Sequence, residues 1–259
     1  MDKKEIKLYE LSYFQNGYDV PYSLTKGGNI LIKPILVKDY PVYEFSHTVL
    51  NIKKNDTDNI EIIQMSYLEF LINEILNGKE DYSIQLSTIF DLCLDEKKIK
   101  IGMDKGKKCL IICDEKDNIK MVIHKKEFDD IRKIILYQND IKYDDREISS
   151  EIIKITNEYY SIKYKNTEIP SLEKRKAFVS SKTGISLKEI NDMNYRFFDL
   201  VYDSSVNSEL YFAQKIIQAS PKYDIGKDVS YPLYTKERDK YEVAFIDEST
   251  YKGKVSTIN

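Results

Sequence analysis

Tryptophan is absent from this chain, cysteine occurs three times, histidine twice and glycine nine times in 259 residues. Each scarcity removes a class of chemistry. An odd number of cysteines with no CxxC pair leaves neither a disulfide framework nor a zinc knuckle, and it suits a reducing compartment. His47 and His124 lie far apart, and neither sits in a ligand or nucleophile pattern, so both read as structural. The glycines never form GxGxxG or a GxxxxGK run, so no nucleotide site is suggested. No segment approaches the ~20 apolar residues that a bilayer span requires. The basic N-terminus MDKKEIKLYEL has no apolar run behind it and is not a secretory signal, so a cytoplasmic location is expected.

What abounds is Lys, Ile, Asn and Tyr, a codon signature of an AT-rich genome and no statement about fold. Hydrophobic residues at 42% and charged residues at 32% give enough apolar material for a packed core under a heavily charged surface, which excludes a disordered chain. The net charge of −3 is spread through the whole sequence, so no global field draws nucleic acid or an anionic membrane. The length fits one large domain or two small ones.

The first sixty residues read as strands and loops. Ile6 to Phe14 and Ile30 to Val37 are rich in aromatic and branched residues, separated by Gly17, Pro21, Gly27 and Gly28, as in a hairpin or meander. Pro34 favours an edge or a bulge. Asp39 to Leu50 forms a first helix if Pro41 lies in its first turn, and Lys53 to Asn59 is a polar loop. Ser66 and Glu69 make a capping box ahead of Leu68, Leu71, Ile72, Ile75 and Leu76. Tyr82 to Leu94 is a second helix, with Asn77 and Gly78 ending the one before it. The period then switches to two, giving strands Ile99 to Met103, Cys109 to Cys113 and Ile119 to Ile123 in an antiparallel meander.

From Lys125 the pattern is helical. Phe128, Ile131, Ile134, Ile135 and Gln138 mark one face as far as Tyr137, and Lys142 to Arg146 is a charged connector. Glu151 to Lys163 repeats Ile152, Ile155, Tyr159 and Ile162. Pro170 and Ser171 open a further helix that Gly184 closes. Ser186 and Glu189 form a second capping box, before a buried stripe of Ile190, Met193, Phe197 and Leu200. The last helix carries Leu210, Ala213 and Ile217. The expected architecture is α+β: a mixed, strand-rich region over 1–124, a helical region over 125–219 and an extension over 220–259 that is either a tail ordering on a partner or a small β element with short strands such as Tyr241 to Ile246.

Candidate chemistry is thin. Cys109 and Cys113 share a strand face with their backbones roughly 13 Å apart, too far for a disulfide or a shared zinc, and read as core. The pairs Asp129 with Asp130 and Asp144 with Asp145 lack a third ligand; the first complements a helix dipole and the second lies in a solvated connector. Ser171 to Asp199 has the outline of a helix-turn-helix, with Ser186, Lys188 and Asn191 toward a groove and Lys174, Arg175 and Lys182 toward phosphates. Glu173, Glu189, Asp192 and Asp199 dilute that basic face, so nucleic acid is not the expected partner. No nucleophile, base and orienting group can be assembled, so no enzyme and no cofactor are expected.

The blocks GGNILIKPILVKDY, IIQMSYLEFL, FDDIRKIILYQN followed by YDD, IPSLEKRKAFVSSKTGISLKEINDMNYRFFDLV and ELYFAQKIIQAS occur in that order. This order resembles proteins encoded in the tail-morphogenesis region of phages and prophages of low-GC Gram-positive bacteria, a family of tail assembly chaperones. Such proteins stop soon after the last block, whereas this chain continues from Ser220 to Asn259. The resemblance implies a non-catalytic factor in the host cytoplasm that binds tape-measure and tail-tube proteins; self-association is a further possible contact. A structural part of the virion, such as a connector or baseplate protein, and a helix-turn-helix regulator are the other readings. For partner binding the residues singled out are Tyr137, Tyr195, Phe198 and Tyr211, large side chains off the main apolar stripes.

Overall fold

The computed structural model describes residues 1–25, 28–54, 59–77, 80–140, 143–146, 148–163, 165, 170–220, 231 and 239–244. Across them the chain is α+β, with helices predominating over two small antiparallel sheets. It divides into two compact units, Met1–Asp144 with Val179–Val201, and Asp145–Phe178 with Tyr202–Asn259. The expected division at residue 124 falls inside the first unit.

The first unit opens on a helix where a strand was expected. Asp2 accepts the N–H groups of Lys4 and Glu5, and Glu5 returns a hydrogen bond to Asp2 N–H, so a capping box starts α1, Lys3–Ser12. Local capping outweighs the strand preference of the aromatic residues that follow it. A hairpin does form, but its first strand lies in the segment expected to separate the two strands, not in Ile6 to Phe14. β1, Val20–Ser23, pairs with β2, Asn29–Ile32, from Val20↔Ile32 to Ser23↔Asn29. This is a two-stranded sheet, so Pro21 is tolerated in an edge strand.

Helix α2, Tyr40–Ser46, carries Pro41 in its first turn, and α3, Thr48–Asn51, follows it. Of the Lys53 to Asn59 loop, 55–58 lie outside the described residues, as does Gly78. Asn59 caps α4, Ile60–Gln64. Ser66 and Glu69 then form the expected box at the start of α5, Tyr67–Phe70, which continues in π-helical winding over Leu71–Ile75. Next come α6, Glu80–Leu94, and the meander β3 Lys98–Asp104, β4 Lys107–Cys113 and β5 Ile119–Ile123, in spatial order β3-β4-β5. Lys105 and Gly106 take positive φ (48° and 76°), which a tight hairpin turn requires.

Helix α7, Lys125–Asn139, is the centre of this unit. Its Phe128 stacks between Tyr67 and Phe90, with ring centroids 6.4 and 6.3 Å away, and Ile131, Ile134, Ile135 and Leu136 are buried beside it. Its polar residues are buried too, and each holds the backbone or hydroxyl of a segment distant in sequence. Glu127 accepts the Thr25 N–H (2.6 Å), Asp130 the Tyr22 hydroxyl (3.0 Å) and Asn139 the Ile35 N–H (2.9 Å). Arg132 Nε donates to Leu50 O (2.5 Å) and Gln138 Nε2 to Tyr18 O (3.1 Å). Loops that cannot complete a ladder of their own are thereby satisfied from one helix.

In the second unit, α8, Ser150–Lys163, has the expected extent. α9, Leu172–Thr183, and α11, Tyr195–Gln218, each contribute residues to both units, and α10, Leu187–Asn191, belongs to the first. Arg146 grips Asp239 with two hydrogen bonds (2.6 and 3.0 Å) and lies over the Tyr241 ring. The strand expected at Tyr241 to Ile246 is instead a 3-10 turn over Glu242–Ala244, with 245 and 246 outside the described residues.

Candidate protein-binding surface

The start of α11 is set by pairing across the fold. Val37 N–H donates to Met193 O (2.9 Å), Tyr195 N–H donates to Ile35 O (3.0 Å), and Leu36 bridges Asn194. This pairing breaks the single helix that the Ile190 to Leu200 stripe predicts: α10 ends at Asn191, and Asn194 caps a new helix by accepting the Phe197 N–H (3.3 Å). The buried set changes accordingly. Ile190 is buried as expected, but Phe197 and Leu200 are about half exposed, and Tyr195, Arg196 and Phe198 are buried in their place.

Tyr195 and Phe198, read from sequence as binding residues, are thus core residues; Tyr195 stacks on Tyr40 at 4.0 Å between ring centroids. Tyr137 is half-buried, edge-on to Tyr143 at 4.8 Å, and its carbonyl accepts from Arg196 (2.7 Å). Tyr211 is half-buried in the second unit, edge-on to Tyr231. Two of the four are therefore unavailable to a partner.

Phe197 and Leu200 line a cavity of about 310 Å³ together with Phe14, Asn16, Gly17 and Asn194. Its walls are chiefly apolar, and the Asn194 Nδ2 is buried there without a hydrogen-bond partner. That volume is at the small end for ligand sites.

The second unit shows the more extended apolar surface. Along α8, Thr156 is buried and Ile153 and Tyr160 are half-buried, whereas Ile155, Tyr159 and Ile162 are exposed. In the distal half of α11, Ser205, Ser208, Tyr211 and Lys215 are the half-buried side. Leu210 (55% exposed), Ala213 and Ile217 (45%) lie exposed, in line with Val206. Phe212 and Ile216 are exposed as well. Sequence periodicity located these stripes correctly. It gave no indication that they are left uncovered.

The remaining sequence candidates take structural places. His47 Nδ1 is 3.0 Å from Tyr43 O, and its ring stacks on Tyr43. His124 stands at the start of α7, with Nε2 3.3 Å from Asp104. Cys93, Cys109 and Cys113 are buried and joined by no disulfide, and burial pushes the Cys93 thiol pKa up. Asp130, expected only to complement the dipole of a first helical turn, is a buried internal hydrogen-bond acceptor in α7. Among the described residues no group of three metal-ligating side chains converges, and no described helix is long and apolar enough to cross a membrane. The helix-turn-helix outline persists as α9, Gly184 and α10, with a second helix of five residues and the Ser186 hydroxyl bonded to Glu189.

No protein-family model matches the chain, and no curated protein and no solved structure matches it.

Proposed function

We propose that this chain is a non-catalytic phage or prophage tail assembly factor, acting in the host cytoplasm, that binds amphipathic helical segments of tape-measure or tail-tube proteins. The distal half of α11 is the docking face. The supporting observation is the row of half-buried Val206 and exposed Leu210, Ala213 and Ile217, spaced 4-3-4, which is the a/d spacing that seats another helix. Those side chains lie on a helix whose half-buried side is polar, so the usual assignment of apolar to core is reversed there. The ordered sequence blocks supply the tail-morphogenesis context.

A tagged copy expressed in cells producing the particle tests the reading. Tape-measure or tube protein is expected in the purified complex, with the chain absent from finished particles. Recovery of no tail protein overturns it. Several copies per particle would instead favour a structural component of the virion.

A further inference from the structure

The three-stranded meander of the first unit leaves β3 as an edge strand, seven residues long. The turn that follows it decides which of its backbone groups face outward. Lys105 and Gly106 both have positive φ, as in a two-residue type I′ loop, so Asp104 and Lys107 close the ladder as a hydrogen-bonded pair. Counting back by twos, Gly102, Lys100 and Lys98 bond to β4, and the N–H and C=O groups of Ile99, Ile101 and Met103 point away from it. Among the described residues no group bonds to these outward N–H and C=O groups.

The same three residues share one face of the sheet. Ile101 lies in a row with Leu110 and Ile123, which are fully buried, yet Ile101 is 51% exposed and Met103 63%. Lysines on an edge strand ordinarily guard it against further pairing. Here Lys98 and Lys100 lie on the opposite face and reach back past β4 to Asp117, in the turn before β5 (3.5 and 3.1 Å), which draws them off the open edge.

We propose that β3 docks on β3 of a second copy of this chain, antiparallel and centred on Ile101, joining the two meanders into one continuous sheet. The outward groups set the register. Ile101 meets the partner's Ile101, and Ile99 meets the partner's Met103, each as a hydrogen-bonded pair. A slip of one residue turns groups already bonded to β4 toward the partner. A slip of two either faces Lys100 with the partner's Lys100 or runs Ile99 past the end of the opposite strand. The choice of occupant rests on self-complementarity. About Ile101, apolar meets apolar on one face, and on the other Lys100 meets Gly102, so a two-fold pair brings no like charges together. A parallel pair sets lysine beside lysine. The buried row of Ile123 and Leu110 then runs through Ile101 into the same row of the other copy.

Sedimentation of the full chain between about 1 and 100 μM tests the association, because so short an edge pairing is expected to hold in the micromolar range. The wild type is expected at two-chain mass at the upper end. Ile101→Lys sets two charges opposite one another on the two-fold and is expected to weaken association about tenfold or more. Position 101 is half exposed, and unchanged circular dichroism verifies folding. Disulfide trapping in the otherwise native chain reads the register. Backbones of a hydrogen-bonded pair stand about 5.5 Å apart, within disulfide reach, so Ile101→Cys alone should cross-link. Met103→Cys alone should not, because its two copies lie four residues apart along the strands, roughly 13 Å; mixed with Ile99→Cys it should. Monomer mass for the wild type at every concentration, association indifferent to Ile101→Lys, or cross-linking of Met103→Cys alone as efficient as that of Ile101→Cys overturns the proposal. Binding of tail proteins through α11 enters neither readout, so the two readings fail separately.

Discussion

Phe198 is fully buried in the first turn of α11, while Phe197 beside it on the same turn is 52% exposed. The two differ only in the side of the helix they occupy, and that side is fixed by the pairing of 35–37 with 193–195. Phe198→Ala should cost about 3–5 kcal/mol, as for a large core aromatic, whereas Phe197→Ala should stay within about 0.5 kcal/mol. Urea unfolding of both variants measures the contrast, and equal losses would contradict this placement of α11.

Arg132 lies flat over Tyr67, its guanidinium carbon 3.7 Å from the ring centroid, while Nε donates to Leu50 O and Nη2 to the Tyr143 hydroxyl (3.2 Å). Arg132→Met leaves both acceptors without their donor and should destabilise by about 2–4 kcal/mol. Arg132→Lys keeps the charge but neither the flat stacking nor the forked donors, so it should recover little of that loss. Chemical denaturation of the two variants decides.

Two carboxylates of α7 respond to pH in opposite senses. Burial raises the Glu127 pKa, but the N–H groups of His124 and Thr25 outweigh it and hold the group below its ordinary value. Its contribution is therefore present above the unfolded-state pKa and lost as pH falls through the folded one. Asp129 is raised, chiefly by burial and against the pull of Arg132 and Lys54, and its Oδ1 lacks a partner. Its relative contribution is full below the unfolded pKa and lost as pH rises through the folded one. Glu127→Gln should thus lower the melting temperature at neutral pH and flatten acid unfolding, while Asp129→Asn should leave neutral stability unchanged or raise it. Melting curves from pH 3 to pH 7 read both signs.

In the second unit, the bidentate Arg146 grip and the Tyr241 N–H hold the Asp239 carboxyl down at about 2. This depressed value means that the clip persists at mildly acidic pH and opens only as pH falls through about 2. A carboxyl-detected NMR titration should place Asp239 there. Arg146→Ala should return it toward the ordinary range, and an unshifted wild-type midpoint would mean that the clip does not form.

The parts of this fold legible in the sequence are those with local causes. The capping boxes at Ser66 and Ser186, the three-stranded meander and the buried face of α7 follow from side chains within a few residues of one another. The box of Asp2 with Glu5 is equally local, yet the reading of Ile6 to Phe14 as a strand rests on its aromatic and branched residues alone and takes no account of it. What lay beyond reach depends on partners far along the chain. The register of α11 follows from residues 35–37, and the buried polar side chains of α7 are matched to backbone groups at Thr25, Ile35 and Leu50. Amphipathic spacing identifies an apolar face but carries no information about what covers it, so Ile155, Leu210 and Ile217 read as core while they are exposed.

The central claim is that the exposed row on α11 seats a tail-protein helix. Its most direct test compares wild type with Leu210→Glu/Ile217→Glu in parallel pull-downs from cells producing the particle, quantifying tape-measure and tube peptides by mass spectrometry. Two charges placed in an apolar helix interface should reduce recovery at least tenfold while the fold, built without these exposed side chains, keeps its helical content. Undiminished recovery from the double variant would contradict the claim.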